Sequence, residues 1–287
     1  MAVFAGKFEK VAFIVSSGRT GTKALAQHLG TCYANVRACH EPTPSWRLRR
    51  ASNKALCGHA GLDELTDLLA RSRRRLARGI AEPIYVESNP YVSGFVEAID
   101  RVFDRPLLIH VVRDPRTFVR SSINFGAFRG LKLLANHFVP YWMPKPEYFG
   151  RPCERRFRQM SPPERMAWYW NLVNRALNRG QEVYGDRYLR IRFEELFARD
   201  GTGMSLLTDW MGLPRNPKLI EAANSEQVNA SRDRHFPRWP DWDESLKARL
   251  LEHCGELMAL YGYAPEGEMR VSGGLAVSAA GGDNRRS

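Results

Sequence analysis

The sequence predicts an α/β fold, a three-layer sandwich with a mostly parallel central sheet and helices on both faces. Two observations carry this. Short apolar runs rich in β-branched residues, the pattern of strands buried on both faces, alternate along the chain with longer segments of helical periodicity. Each run ends in a loop of glycine, proline or charged residues before the next helix begins, which is the order of parallel strand–helix units. Ligands of such sheets bind at the carboxyl ends of the strands.

The elements follow in order. Residues 11–15, Val-Ala-Phe-Ile-Val, form a buried strand; Ala24, Leu25, His28 and Leu29 then repeat with helical spacing. Residues 34–38 read as a second strand leading to His40-Glu41-Pro42. Residues 46–78 are helical and strongly basic, with Arg47, Arg49 and Arg50 followed by Arg71, Arg73, Arg74 and Arg75. A solvated helix face is the expectation for them; a rim that attracts an acidic acceptor is the alternative. Residues 84–86 are a short strand before Glu87-Ser-Asn-Pro90. Residues 107–112 are the central strand, interrupted by His110, which reads as a packed strand residue. Asp114 suits the N-cap and Pro115 the first turn of a helix through Asn124. Prolines and aromatics alternate over residues 126–162, which reads as an irregular insertion of lid type. A helix over 164–183, a strand over 188–193, a helix over 204–211 and a terminal helix over 246–261 complete a single domain, residues 1–263. The Gly/Ala/Ser-rich residues 264–287 are expected to be disordered.

At 287 residues and 44% hydrophobic, the chain can bury a large core. Its net charge of +12 predicts an anionic partner, and a peripheral membrane contact is compatible with it. No run approaches the ~20 apolar residues of a membrane-spanning helix. Cys32, Cys39, Cys57, Cys153 and Cys254 contain no CxxC pair, and the N-terminus lacks a signal-peptide pattern, so reduced thiols in a cytoplasmic protein are expected. A zinc site drawn from Cys32, Cys39, His40, Cys57 and His59 would need unusually loose spacing, so no metal is expected.

The chemistry lies in two loops. In Ser16-Ser-Gly-Arg-Thr-Gly-Thr-Lys23, Gly18 and Gly21 permit a sharp turn, and Thr20, Thr22, Arg19 and Lys23 supply donors and positive charge. This is an anion cradle. It is not a triphosphatase loop, because Thr22 stands where the lysine belongs and Lys23 comes one position late. The second site is Arg113, at the end of the central strand, with Ser121 eight residues on: a charged fork and a hydroxyl for a second anion. The competing functions are a nucleotide-dependent phosphoryl transferase, which the missing Lys-Ser/Thr after Gly21 disfavours, and a nucleic-acid binder. The second would interleave basic and aromatic residues on one face rather than gather cations at strand ends beside glycines.

Three segments resemble the sulfotransferase family. Gly18-Arg-Thr-Gly-Thr-Lys23 resembles its 5′-phosphosulfate loop. Val112-Arg-Asp-Pro-Arg-Thr-Phe-Val-Arg-Ser121 resembles its 3′-phosphate motif, and Leu189-Arg-Ile-Arg-Phe-Glu-Glu-Leu196 its later strand and turn. The resemblance implies the P-loop-like fold and 3′-phosphoadenosine 5′-phosphosulfate (PAPS) as donor. It also implies Phe193 near the adenine, where many members carry tyrosine. Arg232, Arg234 and Arg238, before Trp239, would substitute for the missing Arg-Lys-Gly loop of the cytosolic small-molecule branch, so a bacterial or carbohydrate-type relative is indicated. On this reading Arg19 stabilises the leaving oxygen and a base takes the proton of an acceptor hydroxyl. Glu41 is the first candidate, Glu87 the second and His40 the third.

Overall fold

The computed structural model describes residues 2–150, 156–225 and 235–264. Its elements in chain order are β1 (Lys10–Val15), α1 (Thr22–Cys32), β2 (Val36–His40), α2 (Ser45–Leu56), α3 (Leu62–Gly79), β3 (Ile84–Ser88), α4 (Val96–Val102), β4 (Leu107–Val112), α5 (Pro115–Asn124), α6 (Gly130–Phe138), α7 (Pro162–Asn178), α8 (Gly180–Tyr184), β5 (Tyr188–Arg192), α9 (Phe193–Leu196), α10 (Thr202–Trp210), α11 (Pro217–Ser225) and α12 (Glu244–Leu260).

Among the described residues the strands form one sheet, ordered β2-β3-β1-β4-β5, with every pairing parallel. Alternate side chains of each strand leave by opposite faces. Phe13, Val15, Tyr85 and Leu108 therefore pack with Leu69 of α3, Ile99 of α4 and Phe103 on one side. Ile14, Val86, Ile109 and Val111 pack with Leu25 and Leu29 of α1 and Met204 and Leu207 of α10 on the other. A third cluster joins Phe118 of α5, Trp170 of α7 and Cys254 and Met258 of α12. This is the expected three-layer sandwich.

The helix starts follow from local chemistry. Asp114 caps α5 by accepting from the Arg116 N–H at 2.8 Å, with Pro115 in the first turn, as expected. Ser161 and Glu164 form a capping box at α7. The basic segment 46–78 is two helices, because Gly58 at φ +77° follows the end of α2 and Gly61 precedes α3. The insertion 126–162 is not wholly irregular. It holds α6, whose large apolar residues stand at helical spacing but face solvent. The expected tail lies almost entirely outside the described residues, as do Cys153, Arg232 and Arg234.

His110 is a packed strand residue, fully buried. Its Nδ1 meets the Tyr188 hydroxyl at 2.7 Å and its Nε2 the Asn174 Oδ1 at 2.8 Å. Asn174 Oδ1 can only accept, so Nε2 carries the proton and Nδ1 accepts from Tyr188. Burial pushes the imidazole pKa down to about 3, so the native state keeps it neutral. The unfolded chain gains this proton near pH ~6.5 and the native state does not, so stability falls as pH drops through this window, by about 1.4 kcal/mol per pH unit for one group. In thermal melts from pH 7 to about pH 4, His110→Gln, which cannot titrate, is expected to show a shallower decline than the parent. Parallel curves would exclude this role.

Candidate active site

The four loops expected to carry chemistry all leave the same end of the sheet, because every strand is parallel. After β1 the chain takes three left-handed residues in a row of four, Gly18 at φ +90°, Arg19 at +57° and Gly21 at +69°. Such a sequence of turns gathers backbone N–H groups into an anion-binding concavity at the start of α1. Buried Ser16 braces it: its Oγ accepts from the Gly18 N–H at 3.0 Å and from the Thr20 hydroxyl at 2.8 Å. At Gly21 glycine is required twice. The backbone is left-handed, and a Cβ would lie 2.8 Å from Phe197 and 3.0 Å from Phe193.

The loop after β4 closes on this one. Arg113 donates from Nη1 to the Arg19 carbonyl and from Nε to Thr117 Oγ1 at 3.0 Å. Its guanidinium lies 4.4 Å from the Phe193 ring centroid. Arg19 Nε in turn donates to Ser121 Oγ at 3.2 Å, and its guanidinium lies 4.1 Å from the Phe125 ring. Residues about a hundred positions apart thus form one chain of contacts. Burial lowers the pKa of both arginines, and the Arg113 charge lowers that of Arg19 further. Two desolvated cations this close favour an anion between or beside them.

A third wall is formed by the ends of β2 and β3. Glu41 adopts φ +46°, held by its N–H to the Ser88 carbonyl at 2.9 Å and by the Ser45 hydroxyl on its own carbonyl at 2.6 Å. Its Oε1 stands 3.4 Å from His40 Nε2. Ser88 Oγ donates to the Thr22 carbonyl at 2.9 Å and therefore accepts from His40 Nδ1 at 3.1 Å, which turns Nε2 toward Glu41. Burial raises the Glu41 pKa against the pull of Arg49 and Lys23; burial, then Lys23, lowers that of His40. Lys23 is exposed and acts on this pair, one position past the cradle's own threonines.

The sequence that carries this constellation matches the model of the sulfotransferase family over residues 12–217. The chain belongs to that family. In fold it is similar to the sulfotransferase domain of the curacin biosynthetic pathway, at TM-score 0.52 and 15% identity, covering 86% of this chain and 97% of that one. It is also similar to the sulfotransferase domain of the Synechococcus PCC 7002 olefin synthase, at TM-score 0.51 and 15% identity, covering 87% and 94%. No curated protein is similar enough in sequence to count as a relative. The fold is thus the P-loop-like sandwich that the motifs implied.

Not every residue singled out in this sulfotransferase fits its expected place. Glu87 does not suit a base. It is fully buried, with Arg73 forking onto it at 2.7 and 2.6 Å, the Tyr85 hydroxyl at 2.7 Å and Asn89 Nδ2 at 2.9 Å. Its oxygens are already occupied and no acceptor can reach them. Arg238 is exposed beside the short turn Trp239–Asp241, in a segment anchored to α5 by the Asn124 side chain and Arg120. The cysteines and histidines of the loose zinc set are not gathered: no group of three or more metal-ligating side chains occurs among the described residues. No helix there is long and apolar enough to cross a membrane.

Several site residues escaped sequence reasoning. Glu194 accepts from the Asp114 N–H at 3.2 Å and the Tyr263 hydroxyl at 2.8 Å, and its charge supports Arg113. It lies in the Phe-Glu-Glu-Leu turn already noticed, which was the available clue. Arg49 sits 4.2 Å over Trp142 and 5.2 Å from the Tyr91 ring, and Lys132 Nζ 3.9 Å from the Phe125 ring. No spacing rule connects those residues.

Gly21→Ala is expected to cost about 1–3 kcal/mol from backbone strain, plus displacement of the Phe197 and Phe193 rings. Gly58→Ala, equally left-handed but facing open space, carries the backbone penalty alone. Thermal melts of the two should rank Gly21→Ala lower; equal losses would show that the rings do not enforce the glycine.

Proposed function

We propose that this sulfotransferase moves the sulfuryl group of PAPS to an acceptor hydroxyl, with Glu41 as general base. The observation that supports the reading is the joining of two part-buried cationic loops, one at each of two neighbouring strand ends, in a single chain of contacts. The backbone cradle of Gly18, Thr20, Gly21 and Thr22 would hold the phosphosulfate, Arg113 and Ser121 the 3′-phosphate, and Phe193 the base.

The acceptor oxygen forms a bond to sulfur as the bridging sulfur–oxygen bond breaks, and the electron pair leaves on the phosphate oxygen as adenosine 3′,5′-bisphosphate. Arg19 and the loop N–H groups stabilise that growing charge, and they are desolvated, so each contact counts for more than it would in water. Glu41 takes the acceptor proton. A carboxylate raised above its usual range is a better base, and the partly exposed Glu41 can be reached by an acceptor where Glu87 cannot. His40, with its proton on Nδ1, turns a bare Nε2 toward Glu41 and donates nothing to that carboxylate, which keeps it free to accept a proton. Lys23 moves in this reading from the cradle to the rim around Glu41. The acceptor would be a glycan, a lipid headgroup or a small-molecule alcohol.

Calorimetry is expected to show adenosine 3′,5′-bisphosphate binding without divalent metal, weakening as salt rises. Arg113→Ala should lose about 1.5–3 kcal/mol of that affinity and Ser121→Ala about 0.5–1.5 kcal/mol. Equal losses toward adenosine 5′-phosphosulfate, which lacks the 3′-phosphate, would remove those residues from the 3′-site.

With an acceptor in hand, Glu41→Gln should leave donor binding nearly unchanged and cut turnover by roughly 10²–10⁴-fold. The activity of the parent should fall on acidification with a midpoint above that of an ordinary glutamate, because burial raises the pKa of this carboxyl. That acid limb should vanish in the variant. A normal rate for Glu41→Gln would transfer the base to His40.

A further inference from the structure

Helix α6 is built inside out. Leu131, Leu134 and Phe138 fall on one face at helical spacing, and they are 84%, 52% and 71% exposed. The polar residue Asn136 is the one that is buried, with its Nδ2 on the Ala127 carbonyl at 3.3 Å. Five of the eight large apolar side chains exposed among the described residues lie between 125 and 138: these three, Leu133 and Phe125. A sixth, Trp46, opens α2, and α2 is tied to the strand of chain that leaves α6. Arg50 donates to the Pro140 carbonyl at 3.2 Å, Arg49 to that of Trp142 at 3.0 Å, and Asn53 to that of Tyr141 at 2.9 Å.

Cations predominate around this face. Residues 115–146 include Arg129, Lys132 and Lys145 and no Asp or Glu; residues 42–62 include Arg47 and Arg50, with Lys54 paired to Glu64 of α3 at 3.1 Å, and again no Asp or Glu. Several surface cations elsewhere have an acidic partner, as in Arg101–Asp63 and Arg215–Asp209. A stripe from Leu131 to Phe138 is about 10 Å long, short of the ~800 Å² per partner of a stable protein interface. It does match a helix lying in the headgroup layer with its apolar side down and cations at its flanks.

We propose that the face formed by α6 and the start of α2 docks on an anionic lipid bilayer, with Leu131, Leu134, Phe138 and Trp46 inserted and Arg47, Arg50, Arg129 and Lys132 at the headgroups. Lys132 and Arg19 share the Phe125 ring, so the docked face opens beside the anion loop. The inference rests on neither the donor nor the acceptor.

The full chain is tested by co-sedimentation with vesicles of phosphatidylcholine alone and of phosphatidylcholine mixed with phosphatidylglycerol. Binding to the mixed vesicles only is expected, weakening as salt shortens the screening length. The double variant Leu131→Asp, Leu134→Asp should lower partitioning at least about tenfold with the melting temperature unchanged. If that variant melts early, Leu131→Ser gives the same reading at the most exposed position. Arg74→Glu with Arg75→Glu, on the exposed side of α3, is the control for charge alone and should alter partitioning less than about threefold. The proposal is overturned by absence of binding to the mixed vesicles, by a leucine variant that binds normally, or by a control that falls as far as it does. A dimer that the leucine variant dissolves, in a chain that ignores vesicles, would likewise overturn it and make the face a self-association surface.

Discussion

The carboxylate of Glu87 sits at zero exposure in β3, between β1 and β2, and the architecture of the site hangs on how its charge is met. Arg73 crosses from α3 with both fork nitrogens on the two oxygens, and Tyr85 and Asn89 fill the remaining directions. A buried ion pair is stable only when satisfied this fully, and leaving either partner alone costs about 3–5 kcal/mol. The pair does more than hold a helix to a sheet. Asn89, fixed by Glu87, donates its N–H to Ile14 and accepts from Tyr91, which turns the chain into Pro90 beneath Gly18. The floor of the anion loop is therefore set from inside the core.

Above that floor the protein accumulates positive charge rather than dispersing it. Arg19 and Arg113 are both desolvated and both lie against phenylalanine rings, which tolerate a cation while offering no counter-charge. Glu194 partly balances Arg113 from behind, through a carboxylate itself raised by burial. Family membership accounts for the class of chemistry. The cations of the first and fourth strand ends and the Glu41–His40 pair of the second lie at the same end of the sheet.

The same economy of charge shapes the outer surface. Ion pairs stand on Asp63 of α3, Asp209 of α10 and Arg249–Glu252 of α12, whereas the rim made by α2 and α6 is mainly cationic and apolar together. An exposed leucine stripe on a helix whose asparagine points inward is costly in water unless something covers it. Its neighbour Lys132 is held below its ordinary pKa by burial and by the charges of Arg19 and Arg49, and it shares the Phe125 ring with Arg19.

What the sequence determined by itself was whatever depends on neighbours along the chain. Strand runs, the Asp114–Pro115 cap, the glycines of the first loop and the Arg113–Ser121 spacing are local patterns, and they specified a parallel sandwich and an anion cradle before any packing was known. Tertiary structure alone decided which strand-end carboxylate can be reached from solvent. Glu41 and Glu87 look alike in sequence, each following a short strand. One lies in an edge strand's exit with partial exposure; the other is in a strand flanked on both sides, where an arginine from α3 consumes it. Periodicity gives α6 its helical spacing at Leu131, Leu134 and Phe138 but not the direction that stripe faces, and it gives nothing of the contacts of Arg49 and Lys132, since aromatic–cation contacts between distant segments obey no spacing. Burial and partner choice are properties of the whole fold, because desolvation and Coulomb energy depend on what surrounds a group in space rather than on what precedes it in the chain.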